Sequence, residues 1–208
     1  PAPTSHRMRL YCSPTSPYSR KVRVALLEQG IGESVELVMT DPFDPPPELL
    51  AANPMSKIPT LVTDRGEALP DSNLILEYLQ ARHGGLAPLP RGRRRWAALR
   101  LQRIAEGVID AAVATVYERR RPESIVYIPF LDRQALAIRR AIELLELENG
   151  ALSRDEVGVL EITAAVALSY LDFRLPYVEW RHTGVALGEW HAQFAQRPSM
   201  IETAPPTG

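Results

Sequence analysis

The sequence has few of the residues that build disulfide-bonded or metal-binding proteins. It contains one cysteine, Cys12, among 208 residues, so neither an internal disulfide nor a CxxC pair can form. The four histidines show no metal-ligand spacing, which argues against a zinc centre. A single thiol is typical of a reducing compartment, so we expect a cytoplasmic protein. The cysteine count and the histidine spacing together predict that it binds no metal.

Long apolar runs and an excess of one charge are also absent. No stretch approaches the length of a membrane span, and the opening PAPTSHRM lacks the basic-then-apolar order of a signal peptide. The net charge of -1 offers no broad basic surface, although RGRRRW (91–96) is locally basic. We therefore expect neither nucleic acid nor a membrane as a partner. Arginine supplies most of the positive charge, and the only two lysines are Lys21 and Lys57.

The first part of the chain mixes strand and helix patterns. Strands are predicted at 8–13 and 34–40, a hairpin at 58–69, and helices at 18–30 and 71–85. The proline-rich stretch 41–54 allows at most one helical turn. A helical connection implies parallel pairing of the first two strands, whereas the hairpin is antiparallel. The order β-α-β-α-β-β-α around a mixed four-stranded sheet is that of a thioredoxin-like domain, which we assign to residues 1–83.

A proline- and glycine-rich linker at 84–92 separates this part from an all-helical domain over residues 93–208. Helices are predicted at 93–121, 131–148, 159–175 and 185–195. The strongly apolar third helix is expected to be the buried centre of its domain. It starts at a reduced capping box, with Gly158 at the N-cap and Glu161 three residues later, flanked by Val157 and Ile162 as a hydrophobic staple.

Five segments, in this order, resemble the cytosolic glutathione transferase superfamily, and most closely its bacterial members with serine at the sulfur site. They are SPTSPYSRKVRVAL, NPMSKIPTL, LPDSNLILEYL, GVLEITAAVALSYLDFR and RPSMIETAP. The family usually has Ser or Thr, then Asp, where this chain has Gly158 and Glu161. The resemblance implies a homodimeric detoxification enzyme that uses glutathione as co-substrate and a small electrophile as second substrate.

Ser16 has two interpretations. Ser16-Pro17 is a common start for a helix, with serine as the N-cap. The resemblance instead makes Ser16 the hydroxyl donor to the glutathione sulfur, whose pKa near ~8.5 leaves about 3% thiolate at neutral pH. One hydrogen bond to the anion contributes ~1.5–3 kcal/mol and a helix N-terminus ~0.3–1 kcal/mol, together enough to lower this pKa by about two units. Ser13, Thr15 and Cys12 remain lesser candidates.

The resemblance also implies a set of residues that bind glutathione. Pro59 would be cis, so that the backbone of Ile58 pairs with the cysteinyl unit like an added strand. Ser72 would bind the γ-glutamyl carboxylate and Asp71 the ammonium group, although Asp is one methylene shorter than the usual Glu. Lys57 would face the glycyl carboxylate. An ordinary strand-edge proline, a plain helix N-cap and a solvated lysine are the respective alternatives.

The second substrate is less readable from the sequence. Arg103, Glu106, Asp110 and Tyr117 share one face of the long helix, which either lines a cleft between the domains or is solvated. Other functions also stay open: a binding or regulatory protein with little catalysis, or a glutathione-dependent isomerase or dehalogenase. A thiol transferase acting through Cys12 is a further alternative, although its position in a strand favours a buried, inert thiol.

Overall fold

The structure is a computed structural model that describes residues 7–206. Its contacts divide these residues into two units, one formed by 7–86 with 198–206 and the other by 87–197. The C-terminal segment therefore groups with the first unit, whereas the sequence assigned it to the helical part. Residues 1–6 and 207–208, which the domain assignments include, lie outside the described residues.

The first unit contains a mixed four-stranded sheet, as predicted. Its elements are β1 (Met8–Cys12), α1 (Pro17–Glu28), β2 (Val35–Met39), α2 (Pro47–Ala52), β3 (Thr60–Val62), β4 (Ala68–Pro70) and α3 (Ser72–His83). The strand order is β2-β1-β3-β4. The pairing of β1 with β2 is parallel, and the pairings of β1 with β3 and β3 with β4 are antiparallel. This is a thioredoxin-like arrangement.

The core of the first unit lies where the sheet packs against α1 and α3. Leu10 and Cys12 of β1 contribute to it together with Val22 of α1 and Ile75 of α3, all 0% exposed. Helix α1 ends before Gly30, whose φ of +69° is readily adopted only by glycine. The chain can therefore turn sharply there and return as β2.

The second unit is helical, as predicted. Its helices are α4 (Arg93–Arg119), α5 (Ile128–Leu147), α6 (Val159–Arg174) and α7 (Val185–Phe194). Helix α5 begins three residues before the predicted position 131, because Pro129 fits in the first turn, where its missing N–H is not needed. No helix among residues 7–206 is long and apolar enough to cross a membrane.

The start of α6 confirms the predicted capping box. The Glu161 carboxylate accepts the N–H of Gly158 on Oε2 at 3.0 Å and the N–H of Ser153 on Oε1 at 3.1 Å. Gly158 has no side chain to complete the reciprocal half of the box. Most of α6 is buried, as expected for the centre of its unit.

The two short helices differ most from the sequence prediction. The stretch expected to hold at most one helical turn contains α2, whose six residues make about 1.7 turns. Pro47 at its first position has no N–H to satisfy, so the surrounding prolines do not prevent the helix. A short helix, α8 (Pro198–Glu202), was not predicted at all.

Arg20 of α1 connects the C-terminal segment to the rest of the first unit. Its guanidinium is buried and donates from Nη2 to the carbonyl of Met200 at 2.9 Å and from Nε to Thr203 Oγ1 at 3.2 Å. Burial, helped by the nearby charge of Arg23, lowers the pKa of Arg20 to about 10. The short α8 is thus held by side-chain contacts that helix periodicity does not reveal.

Candidate active site

Three segments carrying predicted site residues meet at one edge of the sheet. Tyr11 pairs with Thr60, and Thr60 pairs with Pro70. Because β3 runs antiparallel to both of its neighbours, the ends of β1 and β4 lie beside the start of β3. The loop before α1, the segment before β3 and the start of α3 therefore share this edge.

Ser16 is the N-cap of α1, as its pairing with proline suggested. Its Oγ accepts the N–H of Ser19 at 3.2 Å, and its own N–H donates to Ser13 Oγ at 3.2 Å. Among residues 7–206, the Ser16 hydroxyl hydrogen has no acceptor. Since capping uses a lone pair and thiolate stabilisation would use the proton, the two interpretations of Ser16 are compatible.

The lesser candidates near Ser16 differ in accessibility. Ser13 Oγ is already bound to the backbone of Ser16, and Thr15 is partly exposed. Cys12 is 0% exposed, as its strand position suggested. Burial raises the pKa of the Cys12 thiol to about 11, although the charge of Arg23 opposes the shift.

We expect Cys12 to resist iodoacetamide in the native protein at pH 8. With a pKa of about 11 the thiolate fraction is ~0.1%, roughly two orders of magnitude below that of a free cysteine. Mass spectrometry should find no adduct on the native chain within the time that labels the urea-unfolded chain completely. Rapid labelling of the native protein would instead support the thiol transferase alternative.

The segment before β3 has the geometry that the resemblance implied. The Ile58–Pro59 peptide bond is cis. None of the hydrogen bonds formed among residues 7–206 uses the backbone N–H or C=O of Ile58. Both groups are therefore available to pair with an extended ligand.

Asn53, which the sequence reasoning did not single out, supports this turn. Its Nδ2 donates to the Lys57 carbonyl at 3.1 Å and to Thr60 Oγ1 at 3.0 Å. Thr60 Oγ1 also donates to the Lys57 carbonyl at 2.8 Å. The Lys57 backbone is thereby fixed while its side chain remains exposed. The NP dipeptide of Asn53-Pro54 was a turn signal that could have pointed to this residue.

Asp71 and Ser72 lie at the start of α3. Asp71 has a φ of +77°, and its Oδ1 accepts the N–H groups of Asn73 and Leu74 at 2.8 and 3.2 Å. Its Oδ2 has no partner among residues 7–206. Asp71 thus caps the helix with one oxygen and leaves the other for a ligand, together with the N–H of Ser72.

A buried lysine of α1 forms hydrogen bonds with side chains at the start of α3. Lys21 of α1 is 0% exposed and donates from Nζ to Ser72 Oγ at 3.2 Å and to Asn73 Oδ1 at 2.9 Å. With its oxygen engaged by Lys21, the Ser72 hydroxyl directs its proton elsewhere. The sequence alone indicated no role for Lys21.

The four predicted second-substrate residues have different surroundings. Arg103 and Asp110 are exposed and Tyr117 is 48% exposed, whereas Glu106 is 3% exposed. This face of α4 is therefore not uniformly solvated. No group of histidine, cysteine, aspartate or glutamate within residues 7–206 is arranged to hold a metal ion.

Known proteins resemble this chain in sequence and in structure over nearly its whole length. The sequence profile of the glutathione S-transferase N-terminal domain matches residues 10–87. The uncharacterized GST-like protein YibF of Escherichia coli K12 is 34% identical over 202 residues, covering 96% of this chain and 99% of YibF.

Two crystal structures of bacterial proteins with bound glutathione are also similar. A glutathione transferase family member from Pseudomonas fluorescens Pf-5 has a TM-score of 0.88 and 40% identity, covering 96% of this chain and 100% of that one. A glutathione S-transferase from Methylobacillus flagellatus KT has a TM-score of 0.86 and 33% identity with the same coverage, 96% and 100%.

The fold and the sheet edge define a two-part protein of the glutathione transferase type. With these matches, the chain belongs to the glutathione S-transferase family.

Proposed function

We propose that the protein is a glutathione transferase in which Ser16 stabilises the thiolate of bound glutathione for attack on a small electrophile. The observation that carries this proposal is the Ser16 hydroxyl, whose oxygen is used for capping while its hydrogen has no acceptor among residues 7–206. The bound sulfur would provide that acceptor. The N-terminus of α1 adds a smaller favourable interaction with the anion.

Glutathione binds at the sheet edge in this proposal. The cysteinyl backbone pairs with the N–H and C=O of Ile58 beside cis-Pro59, as a strand would. The γ-glutamyl carboxylate lies at the start of α3 against Ser72, and the ammonium group meets the free Oδ2 of Asp71. Lys57 faces the glycyl carboxylate. Two glutathione-bound relatives support this choice of ligand.

The proposal also covers the second substrate, the cellular compartment and the oligomeric state. Arg103, Glu106, Asp110 and Tyr117 contact the electrophile from one face of α4. The protein is a cytoplasmic homodimer with a role in detoxification and needs no metal. Sedimentation that shows only monomer would contradict the homodimer.

Two measurements on the wild-type protein test the function. Isothermal calorimetry should detect glutathione binding at millimolar concentration or below, and an aryl halide assay should show conjugation above the uncatalysed rate. No binding at millimolar glutathione would overturn the proposal. Binding without turnover across aryl halides, epoxides and peroxides would favour a binding or regulatory protein.

A further inference from the structure

Four side chains of the second unit converge where α4 and α6 end. Tyr117 and Arg120 come from the end of α4, and Tyr170 and Arg174 from the end of α6, which packs against α4. We call them the Tyr-Arg cluster. The Arg120 guanidinium carbon lies 5.7 Å from the centre of the Tyr117 ring. The cluster joins two helices that are far apart in sequence.

Tyr170 experiences the charges of the whole cluster. It is 8% exposed, and burial raises the pKa of its hydroxyl, while the charges of Arg174 and Arg120 act in the opposite direction. Arg174 also forms a side-chain hydrogen bond with this hydroxyl. Among residues 7–206, the remaining titratable group that acts on it is the Tyr117 hydroxyl and not a carboxylate. The surroundings of the Tyr170 hydroxyl are therefore positive, and the hydroxyl stays protonated as a donor.

Neither arginine of the cluster forms an ion pair among residues 7–206. Arg174 Nε is buried and has no hydrogen-bond partner in this part of the chain. Two nearby arginines are paired, Arg121 with Glu118 at 3.2 Å and Arg181 with Asp172 at 2.6 Å. A third, Arg119, has its guanidinium carbon 4.6 Å from the centre of the Tyr177 ring. A buried, unsatisfied donor beside a second cation indicates a place for an anion.

Aromatic rings hold the guanidinium of Arg174. Its central carbon lies 4.1 Å from the centre of the Phe173 ring, and Phe173 meets Tyr170 edge to face at 6.4 Å. Stacking uses the face of a guanidinium, so the N–H groups of Arg174 that do not interact with the Tyr170 hydroxyl can meet the oxygens of a carboxylate. The rings themselves provide apolar contact for a flat ligand.

We propose that the Tyr-Arg cluster binds the carboxylate of an aromatic acid, and that the second substrate is an electrophile carrying such a group. The substrate class rests on the proposed transferase function, but the binding site does not. A purely structural explanation exists, because cations at helix C-termini complement the helix dipole. That explanation predicts changes in stability without changes in ligand preference.

Calorimetry with 2-naphthoate and its neutral analogue 2-naphthamide tests the site directly. The wild-type protein should bind the acid more tightly than the amide, and Arg174→Gln and Arg120→Gln should each weaken binding of the acid about 10- to 100-fold. Arg174→Lys, which keeps the charge without the paired N–H edge, should recover part of the loss. Arg133→Gln is the matched control, since it removes one exposed positive charge from α5 of the same unit.

Several outcomes would contradict the proposal that the Tyr-Arg cluster binds a carboxylate. They are equal affinity of the wild-type protein for acid and amide, an undiminished affinity in the Arg120→Gln/Arg174→Gln double variant, or the same loss in Arg133→Gln. Melting temperatures identify variants that do not fold, and for these Arg174→Lys supplies the comparison. A lower melting temperature with unchanged acid preference would support the helix-dipole explanation instead.

Kinetics with glutathione separate the substrate class from the transferase function. We expect 4-(chloromethyl)benzoate to have a higher kcat/KM than 4-(chloromethyl)benzamide, and Arg174→Gln to lower this ratio about tenfold or more. Turnover of both compounds at equal efficiency would refute the substrate class and leave the function standing. Arginine-dependent binding of 2-naphthoate without any turnover would refute the function and leave the site standing.

Discussion

Replacing Ser16 with glycine should lower kcat/KM with an aryl halide about 10- to 100-fold near neutral pH. Glycine removes the hydroxyl that we assign to the sulfur, and a hydrogen bond to a charged group contributes ~1.5–3 kcal/mol. At 1.36 kcal/mol per unit, the pKa of the bound thiol should rise by about 1–2 units. Activity should therefore recover as the pH approaches the pKa of free glutathione.

Glycine is the informative substitution because Ser16 also caps α1. It keeps helix capping within a few tenths of a kcal/mol of serine, whereas alanine costs about 1 kcal/mol. A loss of activity in Ser16→Gly therefore reports on the sulfur rather than on the helix. Ser16→Thr, which keeps a hydroxyl, is the matched control.

The direct measurement is an ultraviolet difference titration of the thiolate in the binary complex with glutathione. Its apparent pKa should rise in Ser16→Gly and stay near the wild-type value in Ser16→Thr. Affinity for glutathione should change much less than turnover. An unchanged thiol pKa together with unchanged turnover would remove Ser16 from the mechanism.

Among the single substitutions proposed, removal of the Glu161 carboxylate should lower the stability of the protein most. In Glu161→Ala the N–H groups of Gly158 and Ser153 lose their acceptor at the start of a buried helix. Each unsatisfied N–H group costs ~1–3 kcal/mol, so with two such groups we expect the free energy of unfolding to fall by about 2–6 kcal/mol. Urea unfolding followed by circular dichroism measures this loss, and a change below ~0.5 kcal/mol would contradict it.

The effects of substitutions at Gly158 and Glu161 on stability should not be additive. A Cβ atom at position 158 would lie 2.9 Å from Glu161 Oε2 and 3.2 Å from the Ala87 carbonyl oxygen. Gly158→Ser alone should therefore destabilise the protein by ~1–3 kcal/mol. The double variant Gly158→Ser/Glu161→Asp restores the residue pair usual in the family and should lose less than the two single variants combined.

A matched control exists on α4, where a Cβ atom at Gly107 would meet nothing within 4 Å. Gly107→Ser should leave stability unchanged or raise it, since serine is the better helix former.

Strict additivity of the Gly158→Ser and Glu161→Asp effects would show that the longer carboxylate and the missing side chain are independent features.

The sequence by itself determined the fold class and the way α6 begins. Period-two and period-3.6 patterns are local, so the strands and most of the helices could be predicted from short windows. The capping box could be recognised because Gly158 and Glu161 are only three residues apart. The burial of Cys12 likewise followed from its place in a central strand.

The family motifs directed attention to Ser16, Ile58 and Asp71, but the choice between a structural and a functional role stayed open. Each motif could be explained by a cap, a strand edge or a solvated end. The hydrogen bonds reduced this ambiguity, because Ser16 and Asp71 cap their helices with one set of electron pairs and keep other groups available. The assignment of these groups to glutathione remains our proposal.

Only the tertiary structure revealed the residues that support the site from a distance. Lys21 reaches Ser72 across 51 positions of the sequence, and Arg20 reaches Thr203 across 183. The joining of Tyr117 and Arg120 with Tyr170 and Arg174 is of the same kind. Such contacts have no local pattern, because they depend on how α1 packs on α3 and α8, and α4 on α6. Sequence periodicity shows which face of a helix is apolar, but the packed fold decides which polar groups meet.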